Sequence, residues 1–121
     1  MKRIAIVEDD PALQDVLQII LPPEEYYVET YASAAPVESK LVKMPDLFIL
    51  DWRLGDGTDG LQLCKKLKAD PDTKHIPVIM ISAMPNISKA AKEAGADGAL
   101  EKPFRIKAVR DCVRKYLNQQ A

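Results

Sequence analysis

Four short aliphatic runs, each followed at once by polar residues, form the predicted framework of this chain. The runs cover residues 4–7, 47–50, 78–81 and 98–101, and the polar residues after them are Glu8-Asp9-Asp10, Asp51, Ser82 and Lys102-Pro103. Runs of this kind are typical of strands buried on both faces of a parallel sheet. Ligands bind such sheets outside the carboxyl ends of the strands, and here carboxylates, a hydroxyl and an ammonium gather there. The pattern therefore predicts a phosphoryl-transfer site.

Helical periodicity fills the segments between these runs. Asp10 is predicted to cap a first helix that has Pro11 at its first position, and the stripe predicted to face the core is Leu13, Val16, Leu17, Ile20 and Leu21. Residues 27–31 alternate and predict an edge strand. Further helices are predicted over 37–44, 61–68, 88–94 and 106–118. In the helix over 61–68, the residues predicted to face inward are Leu63, Cys64 and Leu67. In the helix over 106–118, they are Ile106, Val109, Val113, Tyr116 and Leu117. Five alternations of strand and helix predict an α/β fold with helices on both faces of the sheet.

Composition and charge narrow the class of protein. With 121 residues, 47% of them hydrophobic and 29% charged, the sequence is expected to form one globular domain over residues 1–121. The net charge of −1 gives no reason to expect nucleic acid or an anionic membrane as a partner. Neither a membrane span nor a signal peptide is found, so a cytoplasmic protein is expected. Cys64 and Cys112 are predicted to be reduced thiols in helices.

Glu8, Asp9 and Asp51 are the candidate metal ligands. They lie within a few ångströms of one another if the runs that precede them are neighbouring strands, and their repulsion then requires a cation. Magnesium suits an all-oxygen cluster that also takes a phosphate oxygen. Two further acids, Asp56 and Asp59, are interpreted as turn formers in a glycine-rich loop.

Ser82 and Lys102 are the candidate contacts of a phosphoryl group. Taken alone, Ser82 would be a turn residue and Lys102 a solvated surface lysine. At the ends of two strands of the same sheet, they become a hydroxyl donor and a compact positive charge for phosphoryl oxygens. Pro103 ends the strand after Lys102, and the bond between them is a candidate for the cis isomer.

At these positions the chain resembles the receiver domain of two-component response regulators, the fold of the bacterial chemotaxis response regulator. The motifs are IAIVEDD for the acidic pair, LFILDW for the phospho-acceptor strand, VIMISA for the hydroxyl strand and GADGALEKPF for the lysine–proline segment. The resemblance covers essentially the whole chain. It implies a three-layer αβα sandwich, in which five helices enclose a five-stranded parallel sheet of the flavodoxin-like order 2-1-3-4-5.

The resemblance also implies roles for the candidate residues. Asp51 would be the nucleophile that takes a phosphoryl group from a phosphohistidine, and Ser82 and Lys102 would contact the phosphoryl oxygens. The implied magnesium ligands are Glu8, Asp9, Asp51 and the main-chain carbonyl of Arg53. The implied partners are a sensor histidine kinase or phosphotransfer protein and an unidentified downstream protein. The chain would be a monomer or weak dimer that catalyses only its own phosphorylation and dephosphorylation.

Three positions depart from the family pattern. Ala99 stands where the family usually has an aromatic residue, which affects the usual switch. Gly55 replaces a usual proline in the loop after Asp51, and Gly60 closes that loop one residue late. The stretch between Ser82 and Lys102 is short, which predicts a short fourth helix.

Several alternatives arise at this point. An aspartyl-phosphate phosphatase of the haloacid dehalogenase type would need a second Asp two residues after Asp51, where this chain has Arg53. A flavodoxin-like nucleotide or flavin binder is set aside, because Glu8, Asp9 and Asp10 would repel a phosphate placed after the first strand. An adaptor that works unphosphorylated, and a receiver excised from a larger hybrid protein, are the remaining alternatives.

The last predicted helix carries a basic face. Lys107, Arg110 and Arg114 lie at i, i+3 and i+7, opposite its apolar stripe. Either this is a solvated face or it is a docking surface for an acidic segment of a partner.

Overall fold

A computed structural model describes residues 1–39, 43–54 and 57–118. Within them, strands and helices alternate along the chain as predicted. The strands are β1 (Lys2–Val7), β2 (Tyr26–Tyr31), β3 (Leu47–Asp51), β4 (Val78–Ser82) and β5 (Gly98–Glu101). The helices are α1 (Pro11–Ile20), α2 (Ala35–Glu38), α3 (Gly60–Ala69), α4 (Ile87–Glu93) and α5 (Ile106–Asn118).

The five strands form one parallel sheet in the order β2-β1-β3-β4-β5. This order confirms the expected fold, and it confirms that residues 27–31 belong to an edge strand. β3 and β4 are buried along their whole length, because helices cover both faces of the sheet at its centre.

Two hydrophobic clusters lie on opposite faces of the sheet. Successive residues of β1 alternate between them, Ile4 and Ile6 on one face and Ala5 and Val7 on the other, as the two-residue period of a strand requires. The first face packs against α1 and α5, and the second packs against α2, α3 and α4. The result is the expected three-layer sandwich.

Helix α1 begins as predicted, and one member of its predicted stripe proves to be exposed. The Asp10 side chain accepts a hydrogen bond from the amide of Ala12 at 3.0 Å, and Pro11 is the first helical residue. Leu17 is buried, but Val16 is 45% exposed. The prediction that Val16 is buried was wrong. Periodicity shows which face of a helix turns toward the core, but not how much of that face the neighbouring elements cover.

Helix α2 differs from its prediction over 37–44. It starts earlier, at Ala35, because Pro36 is well suited to the first turn of a helix. It ends at Glu38, and residues 43–45 are not helical, in keeping with the effect of Pro45 on the residue before it. Residues 40–42 of the predicted helix lie outside the described residues.

The last two helices lie close to their predicted bounds. α4 has seven residues and is short as expected, and Gly95, which follows it, has a φ of +89°, a conformation that favours glycine. Ile106 at the start of α5 was wrongly predicted to be buried, since it is 55% exposed. Cys64 is buried and Cys112 is half-buried, and both are free thiols as predicted. Among the helices of the described ranges, none combines the length and apolar character that crossing a membrane requires.

Candidate functional site

The three predicted acidic residues meet at the carboxyl edge of the sheet. β1 and β3 are neighbours, with Val7 paired to Leu50, so the residues that follow them come together. One carboxylate oxygen from each of Glu8, Asp9 and Asp51 lies within 4.8 Å of the other two. Their predicted proximity is therefore confirmed.

Lys102 places one positive charge between two of these carboxylates. Its Nζ atom lies 3.2 Å from Oε1 of Glu8 and 3.3 Å from Oδ2 of Asp51. Glu8 is fully buried, and among the described residues its second oxygen, Oε2, has no hydrogen-bond partner. An unpartnered buried carboxylate oxygen is costly, so a further ligand such as a cation would stabilise this arrangement.

The environment of Glu8 favours its protonated form when no metal is bound. The pKa of Glu8 is raised to about 8, first by burial and then by the hydrogen bond with Asp51 and the negative charge of Asp51, while the charge of Lys102 opposes the rise. Even with Glu8 protonated, the carboxylates of Asp9 and Asp51 against the one ammonium of Lys102 leave excess negative charge in a mostly buried cluster. The unpartnered oxygen and this charge fit a hard divalent cation with oxygen ligands.

Ser82 and Lys102 come from adjacent strands at the same edge. Ser82 is buried as the last residue of β4, and its main-chain carbonyl accepts a 2.7 Å hydrogen bond from the amide of Lys102. The Ser82 hydroxyl oxygen accepts a 3.0 Å hydrogen bond from the amide of Met84. The peptide bond between Lys102 and Pro103 is cis, as the sequence suggested.

The loop after Asp51 returns to the site through Gly60. The amide of Gly60 donates to the carbonyl of Trp52 at 2.6 Å, and any β-carbon at position 60 would overlap the main-chain carbonyl of Asp51. Glycine is therefore required at the start of α3. Asp59, predicted as a turn former, caps this helix by accepting a 2.8 Å bond from the amide of Leu61. The predicted positions Gly55 and Asp56 lie outside the described residues.

Arg53 follows the site on the same loop. It forms a β-bridge with Asp59 and its guanidinium lies 5.7 Å from the centre of the Trp52 ring. The side chain is exposed and carries a positive charge, so the main-chain carbonyl is the part of Arg53 that is a candidate metal ligand.

Gln14 contacts the main chain of Glu8 and was not found from the sequence. Its side-chain Nε2 donates to the main-chain carbonyl of Glu8 at 2.5 Å. The sequence feature that could have indicated this contact is the polar character of Gln14, which lies beside the apolar stripe early in the helix that follows Glu8 and Asp9.

Much of the basic face of α5 is engaged within the chain. Arg110 donates to the carbonyl of Ile20 at 2.9 Å, and Lys107 pairs with Asp111 at 2.8 Å. These contacts give Arg110 a structural role at the end of α1, which the two sequence-based interpretations of this face did not include.

Comparison with known proteins agrees with this geometry. The family model described as the response regulator receiver domain matches residues 4–114. The phosphate regulon transcriptional regulatory protein PhoB of Rhizobium meliloti is 37% identical over 107 residues, which are 86% of this chain and 47% of that protein. The chain thus spans about half the length of the curated relatives it matches.

Solved structures show the same architecture. The receiver domain of a signal transduction histidine kinase from Syntrophus aciditrophicus superposes with a TM-score of 0.87 at 31% identity, covering 98% of this chain and 92% of that one. The receiver domain of the sensor histidine kinase PA1611 from Pseudomonas aeruginosa shares the fold, with a TM-score of 0.83 at 24% identity and coverage of 97% and 98%. That protein holds a magnesium ion coordinated in its active-site cleft.

Proposed function

Because the chain belongs to the response regulator receiver domain family of two-component signalling, we propose that Asp51 accepts a phosphoryl group from the phosphohistidine of a sensor histidine kinase or phosphotransfer protein. The observation that carries this proposal is the convergence of Glu8, Asp9 and Asp51 around the ammonium of Lys102. Phosphoryl transfer requires chiefly positioning and neutralised charge, and these four side chains offer both.

The proposed acceptor atom is a carboxylate oxygen of Asp51. It attacks phosphorus as the bond between phosphorus and the donor imidazole nitrogen breaks, and the electron pair of that bond stays on the imidazole. Lys102, already 3.3 Å from Asp51, would neutralise a phosphoryl oxygen, and the Ser82 hydroxyl would donate to another. Hydrolysis of the acyl phosphate returns Asp51 to its carboxylate.

The proposed magnesium ligands are the carboxylates of Glu8, Asp9 and Asp51 together with the main-chain carbonyl of Arg53. The unpartnered Oε2 atom of Glu8 supports this assignment. Bound there, magnesium would supply positive charge against the phosphoryl oxygens. Glu8 has to lose its proton for this, since ligand carboxylates bind metal in their ionised form.

The surface beside the site supports docking of the phosphodonor protein. A groove of about 350 Å³ runs between α1 and the segment after β5. Its apolar lining includes Leu13, Val16 and Phe104, and Lys102 reaches its edge. An apolar face next to the acceptor suits a helical surface that presents the phosphohistidine. The downstream partner is proposed to recognise a surface whose two states are biased by phosphorylation.

Incubation with a small phosphodonor and Mg²⁺, followed by intact-mass measurement, tests the proposal. Wild type is expected to gain the mass of one phosphoryl group, and Asp51→Asn or a chelator should abolish the gain. Asp111→Asn, a matched change at an exposed acid on α5, should leave it intact. No mass gain in the wild type would instead favour the unphosphorylated adaptor, and a gain that persists in Asp51→Asn would reassign the acceptor.

A further inference from the structure

We propose that Gln14 is a positioning residue for phosphoryl transfer, because its side-chain amide fixes the main chain that carries Glu8 and Asp9. This inference rests on the proposed function of the same site. Gln14 touches neither the acceptor nor the incoming group, so its effect has to pass through the metal ligands.

The main chain of Glu8 is held from both sides. Its amide donates to the carbonyl of Tyr31 on β2 at 2.9 Å, and its carbonyl accepts from Nε2 of Gln14 at 2.5 Å. Gln14 is itself anchored in the first turns of α1, where its amide donates to the carbonyl of Asp10 at 3.0 Å. The carbonyl of Glu8 is therefore tied to a rigid helix.

The side chain of Glu8 depends on this main-chain anchor. Its carboxylate is fully buried, Oε1 contacts Lys102 at 3.2 Å, and Oε2 has no hydrogen-bond partner among the described residues. Its polar contacts are with Lys102 and Asp51, both members of the same site, so its position relative to them also depends on the backbone that bears it.

The same bond also affects Asp9. The carbonyl of Glu8 and the amide of Asp9 belong to one planar peptide unit. Holding that carbonyl fixes the plane, and with it the direction in which the Asp9 α-carbon leaves β1. One glutamine amide thus sets the starting points of two of the three clustered carboxylates.

Groups that orient metal ligands commonly change metal affinity when they are lost. Removing such a partner typically lowers affinity by about 10- to 100-fold. Gln14 acts through a main-chain carbonyl rather than through a ligand atom, so we expect the lower end of that range.

Gln14→Met tests the inference, because it keeps the length of the side chain and its helix propensity while removing the donor. Gln18→Met is the matched control, at an exposed position one turn later on α1. Gln14→Asn keeps the amide on a stem one methylene shorter, so it provides a second variant that should lose the bond. Magnesium affinity is measured by calorimetry, and urea unfolding of the metal-free proteins is measured in parallel.

We expect Gln14→Met and Gln14→Asn to raise the Kd for Mg²⁺ by about tenfold, with Gln18→Met unchanged. Metal-free Gln14→Met should stay folded and unfold at a slightly lower urea concentration than Gln18→Met, because the Glu8 carbonyl loses a hydrogen-bond partner. An unchanged Kd in Gln14→Met, or an equal rise in Gln18→Met, would overturn the inference, as would a loss of stability without a loss of affinity. If the wild type itself binds no Mg²⁺, the proposed function fails, and that result is distinct from an unchanged Kd in the variants.

Discussion

At the scale of the residue, Glu8 is the side chain whose ionisation matters most. Its folded-state pKa of about 8 lies above the ordinary value of 4.5, chiefly because the carboxyl is buried. A carboxyl whose pKa is raised by folding stabilises the folded state most when both states are protonated. That contribution is lost as the pH rises from about 4.5 through about 8.

We therefore expect Glu8→Gln to flatten the pH dependence of stability in the metal-free protein. With a chelator present, the variant should unfold at higher urea concentration than the wild type above pH 8, and the two should converge near pH 4. The wild-type Kd for Mg²⁺ should also fall as pH rises through 8, because binding requires the ionised carboxylate. Glu24→Gln, at an exposed position, serves as the control and should keep the pH dependence of the wild type. A wild-type stability that does not fall between pH 5 and 8 relative to Glu8→Gln would contradict the expectation.

The sequence predicted which residues meet at the site better than how they are held there. Glu8, Asp51 and Lys102 could be brought together in advance because parallel strands end at one edge of a sheet. The contact of Gln14 with the Glu8 carbonyl could not be predicted, because it depends on how α1 is rotated relative to β1. The cap formed by Asp59 was missed because a turn former and a helix cap share the same residue types.

At the scale of the element, α4 is held differently at its two ends. At the far end, the Asp97 carboxylate accepts from the amide of Val78 at 2.9 Å and pairs with Lys68 at 2.8 Å, and the Asp97 carbonyl accepts from the hydroxyl of Tyr116 at 2.5 Å. At the near end, the loop is joined to Ser82 by the bond from the Met84 amide. The far end is thus fixed to three other elements, while the near end is tied to the proposed phosphoryl contact.

Phosphorylation should accordingly change amide exchange mainly in residues 82–90 and only weakly in 97–101. Ala99 has no ring that could sweep through the space beside Ser82, so backbone movement of the loop is the expected route. Lys68→Met should let the changes spread into 94–101, whereas Lys65→Met, on an exposed part of α3, should not. Exchange measured by mass spectrometry on phosphorylated and unphosphorylated protein gives the comparison, and changes centred on 97–101 with 82–90 silent would exclude this route.

Element predictions succeeded where the pattern had both a period and a stop signal. α3 and α5 lie within one or two residues of their predicted bounds. In both, apolar residues recur with the helical period, and Asp70-Pro71 marks the end of α3. α2 failed because it is too short for a period to be recognised. The predicted burial of Val16 and Ile106 was wrong for another reason. Both lie in helices as predicted, but no neighbouring element of the described chain extends far enough to cover them.

At the scale of the whole molecule, the proposed acceptor site and the adjoining groove share Lys102, which lines the groove and contacts Asp51. Val16, which lines the groove, is 45% exposed, and Ile19, on the same helix but outside the groove lining, is 76% exposed. Substitutions at these two residues can therefore distinguish an effect on protein docking from an effect on the phosphorylation reaction itself.

Val16→Glu should slow phosphotransfer from a histidine kinase while leaving phosphorylation by a small phosphodonor unchanged. A buried charge in an apolar interface weakens binding, whereas the small donor needs no such interface. Ile19→Glu should have little effect on either reaction. Time courses with both donors give the rates, and equal slowing of both in Val16→Glu would place its effect on folding or on the site itself.

The contact between Lys102 and Glu8 joins residues 94 positions apart in the chain. During synthesis at about 5–20 residues per second, Glu8 leaves the ribosome several seconds before Lys102. A nascent chain has its acidic residues long before the ammonium that neutralises them, and β5 has to join the sheet before the two can meet. The proposed ability to take up a phosphoryl group would thus appear only when β5 is in place, so that uptake reports the joining of β5 to the sheet.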